Sequence, residues 1–333
     1  MSHSLSALLR HLVARRVGES SFVAESFDLG WGRVYGGQTM GQSLSAAEQT
    51  VAPSRALHAF SCQFLRAGAV DRPIRFEVTR LQDSGSFSVR WVLASQAAGE
   101  RGDGDERAIF ALTASYMAPE RGYEHQRPTT RERADATAAA HGESLVGAVA
   151  ALAPLHERYA ALEGIERWPE RLRDTWTRPQ ALELRPHDFV PPGDSARRDA
   201  RAATWLRARE PMPDAFADDA HASARLLAYA SDWGFLSLAV RPHEANLFQG
   251  MQAASLSHSM YFHRPPSELR LDEWHCLSAT SPAAGGGRGF VAAEIFTRDG
   301  VLVASAHQEG LIRKRREKRR AAVVDSNSLS HLV

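Results

Sequence analysis

The sequence predicts an α+β fold built twice, with a helix followed by a meander of antiparallel strands in each half of the chain. Three observations carry this reading. Period-two alternation runs through Ile74, Phe76 and Val78 and again through Phe87, Val89, Trp91 and Leu93, with Arg75, Glu77, Ser88 and Arg90 between them, as half-buried strands require. The order of helix and then strands returns after residue 180, and Phe64-Leu65-Arg66 in the first strand series has a counterpart in Phe262-His263-Arg264. The length of 333 residues is more than twice an ordinary domain of roughly 150. A sheet with one apolar face must cover it, most simply with its own helix and with the sheet of the other half.

The elements follow in order. Leu5, Leu8, Leu9, Leu12 and Val13 form an apolar helical stripe beside Arg10, Arg15 and Arg16. It reads as a helix packed on the first half, the alternative being a mitochondrial presequence. Gly36 and Gly37 open a helix over Gln38 to Val51, in which Met40, Leu44, Ala47 and Val51 recur at helical spacing before Pro53. Strands occupy Leu57 to Met117. Residues 119–180 are rich in Arg, Ala, Glu and Pro, with helical stretches around Glu143 to Leu162 and no strand signal, and read as a connector. Strands near Ala181 to Phe189 and Ala202 to Ala208 come next, then a helix from about Asp218 to Asp232. The last strands lie near Ser259 to His263, Trp274 to Thr280, Gly289 to Thr297 and Val301 to Ile312. The division is therefore 1–118, 119–180, 181–313 and a tail, 314–333.

Composition narrows the classes. Hydrophobic residues at 44% and charged residues at 24% are globular, and exclude disorder, collagen and coiled coil. The net charge of +1 argues against a nucleic-acid partner. The run Arg313 to Arg320 holds seven positive charges and one negative, so the body before it is mildly acidic. The bland reading of that run is a solvated, mobile terminus, the other a phosphate-binding or targeting role. Cys62 and Cys276 are too far apart in sequence for zinc-ligand spacing and too few for a disulfide framework, which points to a reducing compartment. No apolar run approaches the roughly 18 residues of a membrane span.

Several motifs fail on inspection. Gly36-Gly37-Gln38-Thr39-Met40-Gly41-Gln42-Ser43 nearly matches a phosphate-binding loop but carries Gln42 where the ammonium of Lys is needed. Gly285-Gly286-Gly287-Arg288-Gly289 lies between strands and reads as a hairpin loop. The 14 histidines show no zincin spacing, so no metal is expected, and no G-x-S-x-G nucleophile elbow occurs.

Three polar residues of the second half sit against local preference. Asp232 closes a helix, facing the negative end of its macrodipole at a cost of about 0.3–1 kcal/mol, and lies on or beside the apolar stripe through Ala228. A raised pKa and a role are expected of it, against the alternative of a satisfied structural acid. Gln308 shares the parity of Leu302, Ala304 and Ala306, which turns its amide toward the apolar face, where it must find partners. Ser255, on the approach to a strand starting near Ser259, completes a polar cluster or is simply a loop serine.

At these residues the chain resembles the type II acyl-CoA thioesterases, a family with a tandem, or double, hot-dog fold. The resemblance rests on Phe27-Asp28-Leu29-Gly30, Arg33-Val34-Tyr35-Gly36-Gly37-Gln38 with Gly41-Gln42, Ala114 to Pro119 and Gly122-Tyr123-Glu124-His125-Gln126. In the second half it rests on Tyr229-Ala230-Ser231-Asp232, His258 to Pro265, Arg288-Gly289-Phe290, Asp299 to Ser305 and Gln308-Glu309-Gly310. It spans about residues 5–313 in the family order and takes in the N-terminal stripe.

The resemblance implies two helix-wrapped antiparallel sheets packed together, and hydrolysis of medium- to long-chain fatty acyl-CoA to fatty acid and CoA. It implies an Asp-Thr/Ser-Gln triad on Asp232, Ser255 and Gln308, with Ser255 where Thr is common. Asp232 then activates a water that Ser255 and Gln308 orient, backbone N–H groups near Gly36 and Gly37 face the oxyanion, and no cofactor is needed. The implied partners are an acyl-CoA substrate and further copies of the chain in a homo-oligomer, with a cytoplasmic location. The competing readings are a hot-dog enoyl-CoA hydratase or dehydratase, which would use a His and Asp pair, and a non-catalytic acyl-CoA-binding protein.

Overall fold

The computed structural model describes residues 4–98, 104–127, 149–247 and 250–314. Six helices are labelled in chain order: α1 (Leu5–Leu12), α2 (Gly36–Glu48), α3 (Leu155–Ala160), α4 (Glu170–Trp176), α5 (Ala222–Ser231) and α6 (Phe235–Val240). The strands are β1 (Arg15–Arg16), β2 (Ser21–Ala24), β3 (Ala56–Phe64), β4 (Ile74–Asp83), β5 (Phe87–Ala97) and β6 (Glu106–Met117) in the first half. In the second they are β7 (Leu182–Pro186), β8 (Arg201–Ala208), β9 (Met251–Phe262), β10 (His275–Gly285), β11 (Arg288–Thr297) and β12 (Leu302–Lys314).

The strands form one antiparallel sheet in the order β1-β2-β4-β5-β6-β3-β9-β12-β11-β10-β8-β7. Read from its centre outward, that order is the same on both sides, with β3 matching β9, β6 matching β12 and so on to the edges. The two sheets thus meet edge to edge through β3 and β9 (Phe60 opposite Met260, Cys62 opposite His258) rather than by stacking their faces as expected. Pairing these strands removes two long open edges, and helices cover the apolar face. The outer edges end in the short strands β1, which is Arg-Arg, and β7, which closes on Pro186.

The helix of each half packs on the other's, α2 against α5, within a single core that includes Leu44, Leu226 and Leu227. The N-terminal stripe is a packed helix. Ser4 caps α1 by accepting the Ala7 N–H, and Leu5, Leu9 and Leu12 are wholly buried. Gln42, at the position that failed as a phosphate-loop lysine, donates instead to the main-chain oxygens of His11 and Glu25 and ties the N-terminal segment to α2. Gly286 and Gly287 turn the β10–β11 hairpin at positive φ, as the loop reading requires.

Several boundaries differ from expectation. Helix α2 stops at Glu48 rather than Val51, and α5 starts at Ala222, after a short 3-10 turn over Asp214–Phe216. Strand β9 begins at Met251, eight residues before the expected Ser259, and contains Ser255. Of the expected helical stretch Glu143 to Leu162, residues 143–148 lie outside the described residues, as does the basic run beyond Lys314.

Candidate active site

The sheet and the α2–α5 pair leave a cleft of about 970 Å³ that receives Asp232 and Ser255 from the second half, Gly36 and Phe64 from the first, and Trp176 from α4. Asp232 is the C-cap of α5. Because α2 runs antiparallel to α5, the end of α5 that repels a carboxylate lies against the start of α2, whose free N–H groups attract one. The Gly37 N–H faces Asp232 and favours its ionised form. Only glycines permit this approach: a Cβ on Gly36 would stand 2.5 Å from Asp232 Oδ2, and one on Gly37 2.3 Å from Tyr229 O. Tyr35, the N-cap of α2, fastens the same junction by donating its hydroxyl to Tyr229 O at 3.0 Å.

The structure brings Asp232, Ser255 and Gln308 together. The Ser255 hydroxyl donates to Asp232 Oδ1 at 3.3 Å, Gln308 Nε2 donates to Ser255 Oγ at 2.9 Å, and the Gln308 amide also favours the ionised form of Asp232. Ser255 reaches this face through a β-bulge. Gln308 lies opposite His258 and Glu309 opposite Ser257, but Gly310 lies opposite Ser255, so Leu256 is the extra residue. The bulge turns Ser255 to the side that His258 occupies, although the two are an odd number of positions apart. Gly310 makes room for α6, because a Cβ there would be 1.9 Å from Leu236 Cδ2.

Removal from bulk water pushes the Asp232 pKa up to about 6, against the bonds from Gln308, Ser255 and the Gly37 N–H and the charge of Arg33. The direction is the expected one, but burial, not the dipole of its own helix, is the chief cause. A carboxylate so placed is ionised at neutral pH yet basic enough to take a proton.

One residue of this cluster is absent from the sequence-based set. His258 is fully buried behind Gln308, its Nδ1 2.8 Å from Gln308 Oε1 and its Nε2 3.1 Å from Ser231 Oγ. A signal for it exists, since His258, Met260 and Phe262 share one parity. Among the described residues, no group of three or more His, Cys, Asp or Glu is placed to hold a metal ion, and no helix is long and apolar enough to cross a membrane.

The first half has the same scaffold with other side chains. The Leu65 N–H bonds Ile109 O as the His263 N–H bonds Val303 O. Phe60 pairs with Ala114 as His258 pairs with Gln308, and Leu57 with Tyr116 as Ser255 with Gly310. Leu57, Phe60 and Ala114 therefore replace Ser255, His258 and Gln308, and the C-cap of α2 is Gln49 rather than an acid. The scaffold occurs twice, and the polar set once.

Comparison with known proteins assigns this arrangement. Residues 26–117 match the family described as the acyl-CoA thioesterase N-terminal domain, and residues 156–312 its C-terminal domain. The chain belongs to the acyl-CoA thioesterase family. It is a thioester hydrolase by that membership. The acyl-CoA thioesterase 2 of Haemophilus influenzae is 33% identical over 316 residues, which cover 94% of this chain and 99% of the relative. The acyl-coenzyme A thioesterase 8 of Mus musculus is 33% identical over 294 residues, covering 84% and 80%. A solved acyl-CoA thioesterase II from Mycobacterium marinum superposes with a TM-score of 0.65 at 29% identity, over 94% of this chain and 99% of that one. The shared fold is the double hot-dog.

Proposed function

We propose that this member of the family hydrolyses medium- to long-chain fatty acyl-CoA by direct attack of water, with Asp232 as general base. The observation that carries the reading is the convergence of Ser255, Gln308 and the Gly37 N–H on one carboxylate at the cleft. Asp232 takes a proton from water as its oxygen attacks the thioester carbon, and Gln308 and Ser255 orient that water. The tetrahedral intermediate expels CoA as its thiolate, which takes up a proton. Because the Gly37 N–H already serves the base, the oxyanion is assigned to the first N–H of α2, that of Gly36.

The cleft also suggests where the rest of the substrate lies. Behind Trp176 and Trp233, whose rings are 5.0 Å apart, an apolar cavity of about 70 Å³ is lined by Leu29, Leu182 and Leu184 among others. It offers the end of an acyl chain a dry seat. Of the arginines at the cleft, Arg198 and Arg241 are held by Asp194 and Asp188, each at 2.7 Å, and Arg66 donates to Ala108 O. Arg33 is the cation assigned to the CoA phosphates. The units 1–118 and 181–313 are the two hot-dog domains of this reading, and the protein is a cytoplasmic homo-oligomer in it.

A hydratase or dehydratase would need an imidazole on Asp232. The buried imidazole at this site, His258, is committed to Gln308 and Ser231 instead. Thiol release from octanoyl- and palmitoyl-CoA by the purified protein is the direct test. No release with either would overturn the hydrolysis reading in favour of a binder.

A further inference from the structure

His258 supports the site from behind, with both ring nitrogens committed. Its ring stacks with Phe60 of β3 (centroids 6.0 Å apart, 15° between planes) and with Phe235 of α6 (5.8 Å, 18°). Burial pushes its pKa down to about 4, which leaves it neutral with one ring proton.

The position of that proton follows from the carboxylate. Ionised Asp232 only accepts hydrogen bonds, so the end of the Gln308 amide that faces Asp232 and Ser255 is the NH2 end. Its oxygen then faces His258 at 2.8 Å, and an amide oxygen also only accepts. The imidazole proton is therefore on Nδ1. Nε2 is bare and shares the single hydroxyl proton of Ser231, which donates to Ala228 O at 2.9 Å and lies within reach of the ring at 3.1 Å. In the other tautomer two acceptors meet at Nδ1. Turning the amide over to relieve that would set its oxygen against the carboxylate.

We propose that His258 is a positioning residue, whose Nδ1–H locks the Gln308 amide with its NH2 end toward Ser255, Asp232 and the attacking water. The proposal rests on the hydrolysis reading of the site. The first half supplies a natural control. There Phe60 occupies the matching position opposite Ala114, an aromatic ring without a nitrogen facing a residue without an amide. The register accepts an aromatic ring of either kind, and the nitrogen goes with the amide.

Two substitutions separate positioning from packing. His258→Phe keeps the stacked ring and removes the donor, whereas His258→Asn loses the ring but offers an amide N–H near the place of Nδ1. With palmitoyl-CoA, His258→Phe is expected to lower kcat by at least about tenfold with KM within about twofold, and His258→Asn to stay within about threefold of wild type. Wild-type kcat in His258→Phe, or a larger loss in His258→Asn than in His258→Phe, would overturn the proposal. Nitrogen-15 NMR of the imidazole gives a readout independent of turnover, with the Nδ1–H form expected and the Nε2–H form excluding the role. Asp232→Asn, run beside them, separates the two levels: full activity there removes the base itself, whereas an inactive Asp232→Asn beside a fully active His258→Phe removes only this proposal.

Discussion

The two ends of the α2–α5 pair are built on one scaffold and surround their carboxylates differently. At one end the start of α2 meets the end of α5, and Gly36 and Gly37 let Asp232 approach beside an open cleft. At the other, Glu48 at the end of α2 meets Arg225 near the start of α5. The Arg225 guanidinium is bonded to Glu48 and Asp219 and is 1% exposed. One cation there serves two acids, and the group is packed away from the cleft. Burial raises the pKa of both carboxylates, Asp232 to about 6 and Glu48 to about 7, so the ends differ in access and partners: Asp232 lines the cleft among neutral donors, whereas Glu48 is packed against a guanidinium. Arg225 holds Asp219 below the ordinary carboxylate range, although burial opposes this.

The largest effect is expected from the open end. Asp232→Asn preserves size and can still hydrogen-bond to Ser255, but cannot accept a proton. A general base contributes about 10²–10⁴-fold, so kcat for acyl-CoA should fall by that factor while the melting temperature changes little. Steady-state thiol release with parallel calorimetry checks both. Retained activity would erase the distinction between the two ends.

At the packed end the expectation is reversed. Arg225→Met leaves Glu48 and Asp219 facing each other without their shared cation, and removal of one partner from a buried ion pair costs about 3–5 kcal/mol. Denaturant unfolding should show a loss near the lower figure, because Asp219 is partly exposed. The folded fraction should keep wild-type kcat. A selective loss of kcat instead would mean that this end takes part in the chemistry.

How far the contrast can be read from sequence depends on the kind of interaction. Gln308 is legible because Leu302, Ala304 and Ala306 alternate cleanly up to it, and Asp232 because a carboxylate at a helix C-terminus conflicts with a local rule. The resolution of that conflict is not local: the compensating N–H belongs to Gly37, in the other half of the chain. Ser255 is less legible because Ala253-Ala254-Ser255-Leu256 has no alternation and the bulge at Leu256 breaks the period. The edge-to-edge joining of β3 and β9 is made by main-chain hydrogen bonds, which leave no side-chain signature. His258 follows from parity once the strand is begun at Met251 rather than Ser259.

The pH profile probes the same contrast at about tenfold. In the proposed mechanism Asp232 must be ionised to act, and its pKa is raised to about 6. Activity should therefore be flat above about pH 7 and fall as pH drops through 6, reaching about one-tenth near pH 5. An acid with the ordinary aspartate value near 3.9 would keep the enzyme active to about pH 4. A profile of kcat/KM on acyl-CoA with its acid limb at 4 would show that the cleft does not desolvate Asp232.

The smallest effect is expected at Ser255, where the bulged strand carries a hydroxyl in the second half and Leu57 in the first. Its bond to Asp232 is long, at 3.3 Å, while it accepts from Gln308 at 2.9 Å, so it mainly holds the amide and the acid in register. Loss of one neutral hydrogen bond of about 0.5–1.5 kcal/mol makes Ser255→Ala slower by about two- to tenfold. Ser255→Thr keeps the oxygen and adds a methyl that restricts χ1, so it should equal or slightly exceed wild type in kcat. Ser255→Leu copies the first half, with Leu57 in the matching position. It removes the hydroxyl and fills the space beside Gln308, so it should fall below Ser255→Ala. If Thr proves worse than Ala, the bulge at Leu256 has no room for a methyl, and the position requires serine for shape rather than for its oxygen alone.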